Sequence, residues 1–525
     1  MKNPLQWRII LICLGIALFF ANPTLIGNDQ IMLLKAGELL FNGARPYVDF
    51  IDQNPPLIYY LNVIPAFLTH LFDLRPGVAF LVLVFLLTLI TASLLKNIFS
   101  ASRRFSKDEW KVVDAAWFVI PILLILVKDF GQREHLFALT FMPYFFLRLH
   151  RSEADFSIST TKAITIGALC ALMALFKPHF VFVVLVFEIG LLISERNKAL
   201  LKSPEVSAFF FTALTYLLHF LFLPADIFNA YFKELLPLLL KHYHALNKSP
   251  LEFLTISRLA FLQLFVLGIL VGLSWKHLSL RTKKLYLFFF GITLAAAAIY
   301  IWQMKAWEYQ QIPMLYPMVI LFLLLTFNYS HELSDSPRVK RKSFLALSFL
   351  FWGMFLWPMI DTVRPIFKPR PNTPVRETFS FVQRALSEIL SPRDRVVMFT
   401  AGSYFMYSNA FYRDYFPGTR YMSIFPLAFF NNRFEGDPTQ VPQYKTFEQM
   451  PPDEQTFVSR IQEDILNNKP QMLAFISMRS EWTYLPYYFD TFKYFETNGS
   501  WDKWKSHYEL ARTQKDVHIY RRKQD

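Results

Sequence analysis

NDQIMLLKAGELLFNGARPYVDFIDQNPP, residues 28–56, decides how the rest of the chain is read. It follows the first strongly apolar run and sets Asp29, Glu38, Asp49 and Asp52 in an otherwise greasy neighbourhood. Carboxylates just past a membrane helix are poor anchors and poor lipid-facing groups. Two readings compete for Asp29: a solvated acid at a helix end, or the working base of a membrane enzyme. Residues 31–42 suit a short helix lying in the interface, with Gly43 as its stop. Arg45-Pro46-Tyr47 and Asn54-Pro55-Pro56 then pin the chain in extended or turn geometry. A loop this rigid suits the positioning of a chemical group.

The surrounding chain is membrane-like. Of its 525 residues 54% are hydrophobic and 18% aromatic, and the mean hydropathy is +0.29. Charged residues make up 18%, below the usual quarter for soluble domains. The net charge of +14 fits membrane topology better than nucleic-acid binding, because the cations fall in short loops between apolar runs. Cys13 and Cys170 both sit inside apolar segments, so no disulfide scaffold is indicated. Lys2 and Arg8 before the first run resemble a signal peptide, yet that run is long and the motif after it requires attachment. A retained helix is expected.

Membrane helices are expected near residues 8–26, 77–96, 112–128, 136–149, 162–177, 179–194, 206–223, 257–274, 285–301, 311–328 and 343–360. The segment 57–72, LIYYLNVIPAFLTHLF, is read as interfacial or re-entrant. With that choice the loops holding Arg103/Arg104/Lys107, Arg148/Arg151, Arg196/Lys198/Lys202, Lys276/Arg281/Lys283/Lys284 and Arg338/Lys340/Arg341/Lys342 share the side of the N-terminus, which the positive-inside rule makes cytoplasmic. The fold expected is a polytopic α-helical membrane protein of about eleven crossings, with its C-terminus outside. Residues 1–360 form the membrane domain, with a first outer loop at 27–76, and residues 361–525 form an extracytoplasmic α/β domain. Within the latter, 376–390 reads as an amphipathic helix and 396–401, 471–477 and 516–522 as strands. There is no Walker loop, dinucleotide fingerprint or zinc-ligand spacing, and no internal repeat of the transporter kind.

Three further outer-face clusters carry polar chemistry. The turn DFGQREH, residues 129–135, reads either as two helix ends with local ion pairs or as a phosphate site at Arg133, with Glu134 or Asp129 meeting a metal or an acceptor hydroxyl. At Lys177-Pro178-His179 the expected default is a snorkelling lysine. In WQMKAWEYQQ, residues 302–311, Lys305 lies among interface aromatics, where a cation can neutralise a lipid phosphate. Lys241, His242, Tyr243 and His244 lack the further ligands a metal would need, and are read as part of an amphipathic helix.

These residues resemble the GT-C glycosyltransferases, the multi-spanning class that includes protein O-mannosyltransferases and the aminoarabinose transferases acting on lipid A. The resemblance rests on Asp29 in the first outer loop, on ELLFNGARPYVDFIDQNPPLIYYLN after it, on GQREHL at 131–136 and on MKAWEYQQIP at 304–313. The last is similar to a Lys-x-x-x-Tyr-His-x-x-Pro pattern, with Gln310 where His is common. The resemblance implies a polyprenyl-phosphate-linked sugar donor and an acceptor (glycan, lipid or protein) at the outer face of the membrane; the short inner loops and the lack of a eukaryotic retention signal point to a bacterial inner membrane. Asp29 would be the base of an inverting transfer. Arg133, Lys305 and Tyr309 would meet the donor phosphate, while Glu38, Asp49, Asp52 and Glu134 would shape the loop or meet the acceptor. Many relatives carry an Asp-Glu pair in the first loop, whereas Gln30 follows Asp29 here. A divalent metal therefore lacks the paired acids that would support it. The alternatives are a lipid-linked saccharide transporter or flippase, which needs charges near the bilayer midplane, and an envelope polysaccharide polymerase or ligase.

Overall fold

The computed structural model describes residues 26–102, 106–151, 153, 155–330, 338–367, 374–400, 407–408, 410–411, 413–431, 444–477 and 488–524. The chain separates into two compact units. One holds residues 1–27, 77–222 and 248–369; the other holds 28–76, 223–247 and 370–525. The first loop and the segment 223–247 group with the C-terminal part. Backbone pairing explains this. Ile51 donates its N–H to the Arg420 carbonyl at 2.5 Å and accepts from Met422 N–H at 3.1 Å, and Lys241 pairs with Asp453 at 2.6 Å.

The first unit is helical. Its helices are Pro76–Ala101, Lys107–Leu126, Arg133–His150, Thr160–Ala174, Phe180–Glu195, Pro204–His219, Pro250–Ser274, Leu280–Gln303, Ile312–Ser330 and Arg338–Phe367. Serine caps start four of them: Ser106, Ser159, Ser249 and Ser279 each accept a first-turn N–H. Among the described residues five segments are long and apolar enough to cross a membrane: Pro76–Ala101, Pro204–Phe222, Pro250–Ser274, Leu280–Gln303 and Glu308–Tyr329. The chain is on this ground a helical membrane protein. The expected crossing at 8–26 and the basic pair Arg103/Arg104 lie outside the described residues.

Arg133–His150 is buried along its whole length, as a helix surrounded by others must be. Phe145 packs on Phe187 and Phe289, both at 4.9 Å between ring centroids. Near its C-terminal end Arg148 is fully enclosed. It donates to both carboxylate oxygens of Glu188 at 2.8 and 2.7 Å, to the Leu200 carbonyl at 3.0 Å and to Ser203 Oγ at 2.8 Å. Glu205, also enclosed, accepts from Arg148 at 3.3 Å and from Arg151 at 2.9 and 2.8 Å. Beside it Gly167 lets two helices touch, because a Cβ there would stand 2.0 Å from the Glu205 carbonyl oxygen.

In the second unit, helix Asn28–Phe41 packs on helix Leu57–Phe72. The latter has 16 residues, short of the ~20 a crossing needs, and leaves Ile64, Phe67, Leu71 and Phe72 exposed. Gly37 sets the spacing: a Cβ there would lie 2.4 Å from the backbone oxygen of Asn62. Gly37→Ala must push the helices apart, and the expected cost of about 1–3 kcal/mol is read as a lower midpoint in thermal unfolding.

The sheet of this unit comprises β1 (Arg395–Phe399), β2 (Phe416–Pro417), β3 (Met472–Ile476), β4 (Tyr508–Gln514) and β5 (Val517–Arg522), in the order β2-β1-β3-β5-β4. β2, β1 and β3 are parallel, and β5 and β4 add antiparallel. The parallel β1–β3 connection needs a long crossover, and helix Pro452–Asn468 lies in it. Phe399, Phe475, Phe495 and Trp504 form the core, with Phe399 stacked on Phe475 at 4.5 Å. The three expected strands correspond to β1, β3 and β5, and the expected helix runs Pro374–Ile389. β4 escaped notice because an edge strand reading YELARTQ buries little and shows no apolar alternation. β2 has too few residues to leave a pattern.

Candidate functional site

The acids of the first loop fall within the second unit and have different surroundings. Asp29 is in the first turn of helix Asn28–Phe41, half-buried, beside Asn28, whose Oδ1 accepts from Ser408 Oγ at 2.8 Å. A first-turn acid complements the helix dipole. Glu38 is engaged by the buried ammonium of Lys35 at 2.7 Å; Lys35 also reaches Asp414 at 3.2 Å and lies over the Phe416 ring at 4.1 Å. Asp49 closes on Arg45 through its Nε at 3.0 Å, its Nη2 at 2.9 Å and its backbone N–H at 2.8 Å. The Arg45 hydrogen bond holds the Asp49 carboxyl below the usual range. Asp52 is buried and accepts from Asn54 Nδ2 at 2.6 Å and Tyr59 Oη at 3.1 Å. Glu38, Asp49 and Asp52 thus have structural partners. Tyr47, at φ 67°, and its hydroxyl bond to the Asn54 carbonyl at 2.7 Å complete a strained, well-tied loop.

The second group lies in the first unit, where the turn before helix Arg133–His150 meets the 175–179 turn and the 304–311 connection. Gly131, at φ 78°, allows the turn to press on Phe80, whose ring carbons would stand 2.5 Å from a Cβ. Arg133 opens the helix at 5% exposure and Glu134 follows at 1%. Glu134 Oε1 accepts from Lys177 Nζ at 2.5 Å, and that ammonium sits 5.1 Å from the centre of the Tyr309 ring. Lys177 turns inward, correcting the expected snorkelling. Helix N-termini, guanidinium and ammonium groups together favour an anion.

Several polar atoms there are buried without a hydrogen-bond partner among the described residues: Gln132 Oε1, Glu134 Oε2, His179 Nε2 and Gln310 Oε1. Buried polar groups are nearly always satisfied by protein or ordered water, so these atoms offer hydrogen-bonding positions to a water or a ligand. Burial, helped by the neighbouring charges of Lys177 and Arg133, pushes the His179 imidazole down to about 3. It is neutral at physiological pH. Lys305, 3% exposed, is flanked by Met304 at φ 51° and Ala306 at φ 57°. The Lys248 N–H ties this bend down at the Met304 carbonyl, 2.7 Å away. Strain on both sides of one buried cation is a sign of imposed position. Burial lowers the Lys305 ammonium to about 7.

Arg133, Glu134 and Tyr309 are therefore gathered with Lys177 and His179, two residues whose role the bare turn KPH conceals. Asp29, Glu38, Asp49 and Asp52 belong to the other unit. Lys241 is held by Asp453, and His242 approaches the same carboxylate at 3.8 Å. Among the described residues no group of three or more His, Cys, Asp or Glu side chains could hold a metal ion, and no step below runs through one.

Fold and site together define a helical membrane protein with a buried, basic, incompletely satisfied polar cluster at a helix N-terminus. No protein-family model and no curated protein matches the chain.

Proposed function

We propose that the protein is a glycosyltransferase that moves a sugar from a polyprenyl-phosphate donor to a glycan, lipid or protein acceptor. The observation that carries this reading is the cluster of buried Arg133, Glu134 and Gln310 with half-buried Lys177 and His179, a cationic site with unsatisfied polar atoms among the described residues of a helical unit. A lipid phosphate supplies the anion such a site needs and an apolar tail that suits the bilayer. In the proposed reaction Asp29 takes the proton of the acceptor hydroxyl as its oxygen attacks the anomeric carbon. The bond from that carbon to the phosphate oxygen breaks, and polyprenyl phosphate leaves with the electron pair. Attack opposite the leaving group inverts the centre. Arg133, Lys305 and Tyr309 meet the leaving phosphate, where developing charge is best stabilised. Glu38, Asp49 and Asp52 shape the first loop, and Glu134 orients Lys177 or meets the acceptor. The same reading gives about eleven crossings of an inner membrane, a cytoplasmic N-terminus and an extracytoplasmic C-terminal part.

The test is incubation of the purified full chain in liposomes with polyprenyl-phosphate sugars and an envelope acceptor fraction. Formation of a new glycoside with release of polyprenyl phosphate supports the reading. Movement of the lipid-linked sugar across the bilayer without bond formation favours a flippase and overturns it.

A pH dependence follows from Lys305. Its ammonium is charged below about 7 and loses its proton above. A phosphate binds the charged form better, so donor affinity is expected to fall as pH rises from 6 to 9, by up to about tenfold per unit. Lys305→Arg keeps its charge throughout and flattens the profile. Binding of a short-chain polyprenyl phosphate, measured by calorimetry at several pH values, checks this.

A further inference from the structure

A cleft of about 300 Å³ runs between helices Phe180–Glu195 and Leu280–Gln303 of the first unit. Val186, Phe187, Gly190 and Ser194 form one wall; Lys284, Leu287, Phe288, Gly291 and Ile292 form the other. The size is at the lower end for ligand sites, about 300–1,000 Å³. The two glycines keep it open: a Cβ at Gly291 would meet nothing within 4 Å, and one at Gly190 would meet only a Phe288 ring carbon at 3.7 Å. The flanking surface is apolar and exposed at Phe182, Leu185, Ile189, Ile193, Leu287 and Leu294, as a lipid-facing surface is. One end of the cleft is polar. Lys284 Nζ contacts Glu195 Oε1 at 2.5 Å, and Arg281 continues the lining stripe one turn earlier. Lys283, over the Trp275 ring at 5.6 Å, and Arg196, which caps the facing helix, stand at the same end. Glu195 is the one carboxylate in 189–204, and none occurs in 275–291. Four cations there outnumber a single acid.

We propose that this cleft is a binding site for an anionic membrane phospholipid. One acyl chain lies along Phe187, Gly190, Phe288 and Gly291, and the phosphate meets Arg281, Lys283, Lys284 and Arg196. Basic pockets between membrane helices recognise lipid headgroups in this way. None of these residues takes part in the proposed glycosyl transfer, so the site stands apart from that reading.

The test uses the full chain in nanodiscs of equal phosphatidylglycerol and phosphatidylcholine, with a photoactivatable acyl chain on one lipid at a time, and maps the labelled peptides. Phosphatidylglycerol should label 186–194 and 284–292 in preference to phosphatidylcholine, and more than it labels the exposed face of Pro204–His219. Arg281→Gln with Lys283→Gln should reduce that preference by roughly thirtyfold, the scale expected for two surface cations. Gly190→Leu with Gly291→Leu should fill the cleft and remove labelling by both lipids, while the melting temperature stays near that of the parent. Equal labelling by the two lipids overturns the assignment of the headgroup. Labelling no stronger than on the Pro204–His219 face, or unchanged by the leucine pair, overturns the site.

Discussion

Replacing Asp29 with Asn is expected to lower glycosyl transfer by roughly 10²–10⁴-fold, the range a positioned general base contributes. The substitution keeps size and shape and removes the carboxylate charge that the proposed reaction uses to accept the proton. Asp29 is half-buried in the first turn of its helix. Its favourable interaction with the helix dipole is on the order of 0.3–1 kcal/mol, so the variant should still fold and insert. Turnover of a polyprenyl-phosphate sugar by matched amounts of parent and variant reads the effect, with donor binding as the control. Glu38→Gln and Asp49→Asn serve as comparisons. Glu38 is engaged by Lys35 and Asp49 by Arg45, so those changes act on the loop's geometry more than on proton transfer. Full transfer activity in the Asp29 variant would remove Asp29 from the proposed mechanism and leave the proposed anion site of the first unit untouched.

Arg148→Met is expected to cost about 3–5 kcal/mol, the range for removing one partner from a buried ionic group. The guanidinium is fully enclosed and holds together three segments: Glu188 on one helix, Leu200 and Ser203 in the following turn, and Glu205 on the next helix. Without it Glu188 retains, among the described residues, only the Tyr144 hydroxyl at 2.9 Å, while Glu205 keeps Arg151. A buried carboxylate left short of partners must take up a proton or draw in water, and either is costly. The loss should appear as a large drop in the unfolding midpoint in detergent. Arg148→Met combined with Glu188→Leu should recover much of it, because replacing both charges by apolar groups removes the uncompensated one. A loss within about 1 kcal/mol, typical of exposed pairs, would mean that water already reaches the network.

Helices were legible wherever apolar runs were long, as within Pro250–Ser274 and Leu280–Gln303, because hydropathy is local; their polar first turns after Ser249 and Ser279 were not. The strands β1, β3 and β5 were legible too, because their β-branched and aromatic runs are bounded by turn residues. Edge strand β4 was not, since a half-exposed strand has no apolar face to show. Lys177 was misread for a related reason: a lysine at a turn snorkels unless a specific acid is buried beside it, and Glu134 lies 43 residues away in the chain.

The sequence by itself determined that this is a membrane protein, that its acids and basic loops alternate along the chain, and that a proline-pinned loop follows the helix that carries Asp29. Those are properties of composition and short-range order. Only the tertiary structure decided that the first loop belongs with the C-terminal sheet, through Ile51 pairing with residues 420–422 and Lys35 meeting Asp414. It alone brought Lys177 and Tyr309 to Glu134, and tied the first loop by pairing Glu38 with Lys35, Asp49 with Arg45 and Asp52 with Asn54. Contacts between residues hundreds of positions apart depend on how elements pack, and no local pattern records them.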